Sequence, residues 1–182
     1  QASATAGLPR TFFDLRDMKT AYGNGSYPYT PPVALMNGLK LSVEMLLDEG
    51  LDNVFARHHR IAEGVRAAVA AWGMKPCAAT PDLYSDTVTA VRTPDGFNAT
   101  DIVTRAAGPY GMAFGVGLGE VAGKVFRIGH LGSLTDAMML SGLATAEMVM
   151  ADLGLPVRLG SGVAAAQSVY RHGDAASNKA AA

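Results

Sequence analysis

The sequence has little cysteine and no excess of either charge. Cys77 is the single cysteine among 182 residues, so no disulfide can form within the chain, and a cytoplasmic, reducing location fits. The formal net charge is -1, from 15 basic and 16 acidic residues. Proteins that bind nucleic acid or an anionic membrane surface ordinarily carry a basic patch. We therefore expect neither partner.

Long apolar runs and metal-binding spacings are also missing. No run reaches the roughly 18 residues that a membrane-spanning helix needs, so we expect no membrane segment. His58 and His59 are adjacent on a predicted helix and should face different ways, whereas helical metal ligands are spaced about four residues apart. We expect no metal site.

The N-terminus, QASATAGLPR, has neither an initiator methionine nor the charged-then-apolar pattern of a signal peptide. It has the composition of a loop inside a protein. We expect the sequence to be a piece of a longer polypeptide.

The first half of the chain predicts two helices. Pro31 and Pro32 suit the first turn of one helix, which should end at Gly50. Asp52 should cap a second helix, which Gly73 ends. Apolar residues at spacings of three and four support both. They are Leu35, Leu39, Val43 and Leu46 in the first helix, and Val54, Phe55, Ile61, Val65, Val69 and Trp72 in the second.

The second half predicts shorter, alternating elements. Apolar residues are 49% of the chain and charged residues 17%, which suits a packed core. Strand, helix, strand, strand and helix follow in order, which predicts an α/β sandwich. Strands are expected over 87–91, 112–116 and 124–130. Helices are expected from the Asn98 cap to 107, from Ser133 or Thr135 to 153, and over 161–171.

One arginine lies inside the apolar run GKVFRIGHLG, residues 123–132. Alternation along a strand puts Arg127 on the same face as Gly129, which has no side chain. A guanidinium in such a place can bind a flat carboxylate through two parallel hydrogen bonds. The alternative is a structural ion pair, for which Glu120 and Asp136 are the acids near in sequence. The pattern alone favours neither.

A second candidate site is the loop YPYTPP, residues 27–32. A threonine before a helix, Thr30, places its hydroxyl at the positive end of the helix dipole, where phosphate groups bind. The prolines remove amide donors, so a phosphate would depend on this hydroxyl and on a tyrosine hydroxyl. The alternative is an ordinary N-cap at Thr30.

A third motif is the GxGxG run of Gly115, Gly117 and Gly119. A dinucleotide-binding loop also needs a later glycine and a helix that begins at the loop. Both are missing from this stretch, so the run is only weak support for a nucleotide site.

Two segments resemble the class V, fold-type I pyridoxal-phosphate aminotransferases, most of all the serine–glyoxylate and alanine–glyoxylate group. They are SYPYTPPVALMNGLKLSVEMLLDEGLDNVFARHHRIAEGVRAAV and GLGEVAGKVFRIGHLG. With the helix that follows, they cover most of residues 11–155. The resemblance implies an α/β fold that is the C-terminal portion of the family's fold. Residues 1–50 would end the large cofactor domain, 51–73 would be the linking helix, 74–155 the small α/β domain, and 156–182 a C-terminal helix and tail.

The resemblance also implies residue roles. Arg127 corresponds to the family's arginine that holds the substrate α-carboxylate. Tyr27 and Thr30 correspond to residues that reach across a homodimer with shared active sites to the phosphate of the neighbouring subunit's pyridoxal 5'-phosphate. The implied reaction is transfer of an amino group from serine or alanine to glyoxylate.

The lysine that forms a Schiff base with the cofactor should lie upstream of this sequence. The cofactor's chemistry needs that lysine as covalent anchor and proton shuttle. The lysines present do not have the family's lysine context: they are Lys19, Lys40, Lys75, Lys124 and Lys179. We therefore expect this chain to be inactive alone and to work within a longer polypeptide, or beside a separate N-terminal fragment.

Two alternatives come from other functional classes. The chain could be part of a non-catalytic structural subunit of the same superfamily, which would not absorb visible light as a cofactor-loaded enzyme does. It could instead be a small regulatory domain that binds a free amino acid through Arg127. Calorimetric binding of serine to the chain without cofactor would favour the regulatory domain.

Overall fold

A computed structural model describes residues 5–10 and 12–177 of the chain, with side chains as far as residue 171. The chain divides into two compact units, residues 1–49 and residues 50–182. The described residues form six α-helices and four β-strands. These are α1 Leu15–Gly23, α2 Val33–Glu49, α3 Leu51–Ala71, α4 Ala99–Ala107, α5 Asp136–Asp152 and α6 Ser161–Ser177, with β1 Lys75–Pro76, β2 Val88–Arg92, β3 Gly115–Val116 and β4 Val125–Gly129.

The first unit contains α1, α2 and the loop between them. Asp14 caps α1, since its carboxylate accepts a hydrogen bond from the Arg16 amide at 3.0 Å. Hydrogen bonds from the Arg16 side chain and amide hold the pKa of the Asp14 carboxyl far below its usual range. None of the residues of α1 and α2 is buried.

Helix α2 begins later than the sequence pattern predicted. A residue that precedes proline is disfavoured in the α conformation, which explains why Thr30 and Pro31 lie outside the helix. The Met36 amide makes the first helical hydrogen bond, to the Pro32 carbonyl at 3.0 Å. The prolines therefore precede the first turn, contrary to the prediction, and the alternative of an ordinary N-cap at Thr30 is wrong.

The second unit is built on an antiparallel sheet of strand order β1-β2-β4-β3. The predictions of β2 and β4 are confirmed to within one residue at each end. Strand β3 covers only the last two residues of the predicted strand over 112–116. Strand β1 has only two residues and was not predicted, because so short a strand leaves no alternating pattern.

One face of the sheet packs on the helices and forms the core of the second unit. Thr89 and Val91 of β2 pair with Ile128 and Phe126 of β4, and all four are buried. Helices α3, α4, α5 and α6 supply the opposing side chains. They include Ile61, Val65, Val69, Ile102, Ala106, Leu143, Val149, Ala166 and Tyr170.

Helix α3 starts at a glycine rather than at an aspartate cap. Gly50 occupies the N-cap with a φ of 84°, a conformation that favours glycine, and Asp52 lies inside the first turn. The prediction of Asp52 as the cap is therefore wrong, although its charge still suits the positive end of the helix. Helix α3 packs into the core of the second unit. The domain boundaries implied by the resemblance remain predictions.

Two other predicted caps are confirmed. The Asn98 side chain accepts a hydrogen bond from the Thr100 amide at 2.9 Å, at the start of α4. The Thr135 hydroxyl accepts one from the Met138 amide at 3.3 Å, at the start of α5. Each satisfies an amide that has no partner within its own helix.

A buried carboxylate fixes the beginning of α6. Glu147 accepts hydrogen bonds from the Trp72 indole at 2.9 Å and from the amides of Gly160 and Gly162 at 2.6 Å. The first amides of a helix lack intrahelical partners and carry a partial positive charge, so a carboxylate is stabilised there. Within the described part of the chain, no helix is long and apolar enough to cross a membrane.

Candidate active site

Arg127 lies at the centre of β4 between two small residues. It pairs with Ala90 of β2 on one side and with Gly115 of β3 on the other. Directly paired residues of antiparallel strands point to the same face, so Arg127 has only a methyl group and a hydrogen beside it. Its neighbours Phe126 and Ile128 are buried on the other face, which confirms the predicted alternation.

The Arg127 guanidinium is held by a backbone carbonyl. Its Nε donates a hydrogen bond to the Val116 carbonyl at 3.0 Å. Among the residues whose side chains are described, none forms an ion pair with it. Asp136 instead binds both terminal nitrogens of Arg60, at 2.9 and 2.8 Å, and Glu120 does not pair with Arg127 either. The structural ion pair that the sequence left open is therefore not found in this part of the chain.

A cavity of about 190 Å³ lies beside Arg127. Val88 and Ala90 of β2 line it, together with Tyr84 and Ser85 of the preceding loop. Pockets for drug-sized ligands have volumes of roughly 300–1,000 Å³, so this cavity suits a smaller molecule.

The second guanidinium at this cavity is already neutralised. Arg66 pairs with Glu63 at 2.6 Å and with Asp86 at 3.0 Å, and it lies 5.7 Å from the centroid of the Tyr84 ring. Burial alone would raise the pKa of Asp86, but hydrogen bonds from Arg66 and His59 outweigh it and keep that pKa below its usual value. Arg127, not Arg66, therefore has a guanidinium edge available to a carboxylate.

His130 anchors the end of the strand that carries Arg127. Its Nδ1 lies 3.0 Å from the Asp86 carbonyl, and its Nε2 lies 2.9 Å from the Thr89 hydroxyl. A carbonyl can only accept, so Nδ1 carries the hydrogen and Nε2 accepts from the hydroxyl. Burial lowers the pKa of His130, which favours this neutral form. No local sequence pattern indicates this anchor, because Asp86 and Thr89 are distant from His130 along the chain.

The two adjacent histidines face different ways, as predicted. His58 Nδ1 lies 2.7 Å from the Val54 carbonyl, and its Nε2 accepts a hydrogen bond from the Gly132 amide at 3.0 Å. His59 Nδ1 lies 3.0 Å from an oxygen of Asp86. In the described ranges, no three His, Cys, Asp or Glu side chains lie where they could hold a metal ion.

Tyr27 and Thr30 lie on the loop before α2, in the first unit. Both are exposed, and neither side chain makes a hydrogen bond with a described residue. Tyr29 fixes the loop instead: its hydroxyl accepts from the Phe12 amide at 3.1 Å, and the two rings are 4.3 Å apart. The two hydroxyls therefore remain available to a phosphate. Tyr27 and Thr30 belong to the first unit and Arg127 to the second.

The GxGxG run is explained by close packing and by a turn. A Cβ on Gly117 would lie 2.3 Å from the Val121 carbonyl oxygen, and Gly119 has a φ of 54°. Only a three-residue 3-10 turn, Gly119–Val121, follows the run. Gly115 provides the space in which Arg127 lies, so each glycine of the run has a structural explanation.

No family model matches the chain. The L-aspartate–glyoxylate aminotransferase of Paracoccus denitrificans (strain Pd 1222) is 70% identical over 182 residues, which are 100% of this chain and 46% of that protein. The serine–glyoxylate aminotransferase of Hyphomicrobium methylovorum is 49% identical over 168 residues, 92% of this chain and 42% of that protein.

A solved structure to which the chain is similar is also that of an aminotransferase. The pyridoxamine–pyruvate aminotransferase of Mesorhizobium loti superposes with a TM-score of 0.81 at 34% identity, over 93% of this chain and 44% of that one. The matches lie in about the C-terminal 45% of the matched proteins. The chain belongs with the C-terminal part of the class V aminotransferases. It spans less than half the length of the curated relatives it matches.

The family resemblance and the α/β fold expected from the two sequence segments are thereby confirmed. In this class V aminotransferase chain, the arginine and the two hydroxyl residues occupy the segments on which the resemblance was based. Their roles in binding remain predictions.

Proposed function

We propose that this chain is the carboxylate-binding part of an aminotransferase that passes an amino group from an amino acid to glyoxylate. One observation carries the proposal: the guanidinium of Arg127 is held through Nε, while both terminal nitrogens have no partner among the described residues. Two parallel N–H groups match a carboxylate. The relatives named as glyoxylate aminotransferases support this reaction class.

Arg127 would act by orientation. Both an amino acid and glyoxylate carry a carboxylate, so one fork can hold each substrate in turn. Holding that group fixes the reacting carbon relative to the catalytic groups, and such positioning lowers the barrier by removing rotational freedom before the reaction. A small cavity beside the guanidinium is consistent with short substrates.

Tyr27 and Thr30 would hold the phosphate of pyridoxal 5'-phosphate in the neighbouring subunit of a homodimer. Their exposed hydroxyls can donate to phosphate oxygens, and α2 begins just after them, with its positive end near the loop. When bound, the cofactor supplies the electron sink for transamination. The anchoring lysine is expected outside this chain, either upstream in a longer polypeptide or in a separate N-terminal fragment. The inactivity of the chain alone and a cytoplasmic location also remain predictions.

The amino donor is the finer part of the proposal. The resemblance implied serine or alanine. The relative at 70% identity is named for aspartate and the one at 49% for serine, so we place aspartate first and serine second. Initial rates with aspartate, serine and alanine, at one glyoxylate concentration, test this order in the complete enzyme. A higher kcat/KM for serine than for aspartate would reverse it.

Substitution of Arg127 tests the proposal. In the complete enzyme that contains this chain, Arg127→Ala should lower kcat/KM for donor and for glyoxylate by about a hundredfold or more. Two charge-assisted hydrogen bonds are lost, each worth about 1.5–3 kcal/mol. Arg127→Lys keeps the charge but loses the two parallel N–H donors, so its kcat/KM should lie between those of the wild type and Arg127→Ala.

The matched control is Arg105→Ala. Arg105 is an arginine of the same unit that pairs with Asp152 at 2.7 Å, so its loss should leave both substrates' kcat/KM unchanged. If Arg127→Ala retained wild-type values for both substrates, the assignment of this residue would be wrong.

A further inference from the structure

Gly115 lies beside Arg127 in a strand, although its backbone does not need a glycine. Its φ is not among the positive values of this chain, so any residue could adopt its conformation. Glycine inside a strand weakens that strand, since it has more freedom to lose on folding and no side chain to pack. Another reason must therefore account for glycine at this position.

The reason is the space that Arg127 fills. A Cβ built on Gly115 would lie 2.9 Å from Nε, 3.2 Å from Cβ and 3.3 Å from Cζ of Arg127. Carbon atoms in good contact lie about 3.5–4.0 Å apart, so these positions overlap. The three nearest atoms all belong to Arg127, so the arginine side chain lies directly across the glycine.

The same strand also fixes the direction of the guanidinium. The carbonyl of Val116, the next residue, accepts the Nε hydrogen at 3.0 Å. This bond uses the one guanidinium nitrogen that is not in the terminal pair, and it limits rotation of the group. The terminal nitrogens are left as a fork whose orientation is set before a ligand arrives, and preorganisation of this kind lowers the entropic cost of binding.

From this geometry we infer that Gly115 is a positioning residue for carboxylate binding: it admits the Arg127 side chain across β3, where the Val116 carbonyl orients it. The inference rests on the proposed function. A methyl group at residue 115 displaces the guanidinium from the Val116 carbonyl but leaves the charge in place. The effect should therefore fall on substrate binding more than on the later chemistry.

The test is Gly115→Ala in the complete enzyme. The KM for glyoxylate and the inhibition constant of propionate, an unreactive carboxylate, should each rise about tenfold, with a smaller change in kcat. The midpoint of thermal unfolding should not fall, because alanine suits a strand at least as well as glycine. Gly142→Ala is the matched control: a Cβ there meets no atom within 4 Å, so both constants should stay at wild-type values.

A double substitution separates positioning from a general structural effect. In the Arg127→Ala background, Gly115→Ala should change kcat/KM and the propionate constant by less than twofold, since the group on which it acts is gone. A tenfold loss that persists in this background would overturn the inference. So would wild-type constants for Gly115→Ala alone.

These results also separate the inference from the proposed function. If Arg127→Ala alone leaves glyoxylate and propionate binding unchanged, the proposed function fails, and the inference fails with it. If Arg127→Ala weakens binding strongly and Gly115→Ala does not, only the positioning role of Gly115 is wrong. A Gly115→Ala protein that does not fold would also contradict the inference, because the nearest atom, Nε of Arg127, belongs to the flexible end of a side chain.

Discussion

The two compact units use their apolar residues in opposite ways. In residues 50–182, apolar side chains from the sheet and four helices form one buried cluster. In residues 1–49, none of the residues of α1 or α2 is buried. Nine large apolar side chains of α2 are at least partly open to solvent. They are Val33, Leu35, Met36, Leu39, Leu41, Val43, Met45, Leu46 and Leu47.

The difference shows which unit carries its own stabilising contacts. A helix with apolar residues on all sides is normally buried in a larger body, and a large exposed apolar patch normally marks a contact surface. The resemblance assigned residues 1–50 to the end of a larger domain. We therefore expect other parts of the complete protein, or its partner subunit, to cover α2, whereas residues 50–182 need no such cover for their core.

Dividing the chain between Glu49 and Gly50 should give the largest contrast. Residues 50–182 alone should unfold cooperatively on heating, because the buried cluster lies wholly within them. Residues 1–49 alone should show no cooperative transition, because burial of apolar surface supplies most of the favourable free energy of folding. Far-UV circular dichroism during a thermal scan measures both.

The 182-residue chain is the reference for this division. Its main transition should match that of residues 50–182 in midpoint and cooperativity. A cooperative transition in residues 1–49, or a broad and featureless one in residues 50–182, would contradict the comparison.

Local patterns predicted most of the fold, and the errors occurred where local patterns compete. The caps at Asn98 and Thr135 were predictable because a capping side chain bonds amides two or three residues away. The start of α2 was wrong because two prolines act on the residues before them as well as on the helix after them. The start of α3 was wrong because Gly50 ends one helix and also begins the next.

The candidate site was only partly predictable for a different reason. Alternation along β4 was enough to single out Arg127. The same pattern could not predict the residues that position Arg127. The space beside Gly115 and the Val116 carbonyl reach Arg127 only because β3 pairs with β4. Proximity in sequence also suggested Asp136 as a partner, whereas the fold brings Arg60 to that carboxylate across 76 positions. The local signal that could have indicated the space beside Arg127 was the GxGxG run, which precedes β4 in the sequence.

Glu147→Ala should strongly destabilise residues 50–182. The Trp72 indole and two glycine amides would lose their acceptor, and each buried, unpaired donor costs about 1–3 kcal/mol. We expect the free energy of unfolding to fall by about 3–5 kcal/mol in urea titrations of the 182-residue chain. Helix α6 should lose protection from hydrogen exchange first, because its initial amides bind this carboxylate.

Glu63→Ala is the control for that change. Glu63 is half-exposed, and its partner Arg66 keeps a second ion pair with Asp86, so this loss should cost less than about 1 kcal/mol. Glu147→Gln keeps one acceptor oxygen, so its loss of unfolding free energy should lie between those of Glu63→Ala and Glu147→Ala. Equal losses for Glu63→Ala and Glu147→Ala would show that burial of the carboxylate does not matter.

The smallest expected effect is a pH dependence confined to residues 50–182. All four histidines lie there, at positions 58, 59, 130 and 172. Burial lowers the pKa of His130 from its usual 6.5, and the nearby charge of Arg66 lowers it further, while the Asp86 carbonyl opposes both. The unfolded state therefore binds the proton more readily. Stability is full above about pH 6.5 and declines as the pH falls from there towards the lowered pKa.

Urea titrations between pH 8 and pH 5 measure this decline, and His130→Asn is the variant that tests its source. The asparagine amide can still donate to the Asp86 carbonyl but does not titrate, so the variant should be less stable at pH 8 and should vary less with pH. Asp86 does not confuse the result, because its pKa lies below 3.8 and its effect begins at lower pH. An equally steep decline in His130→Asn would show that His130 is not the source of the pH dependence.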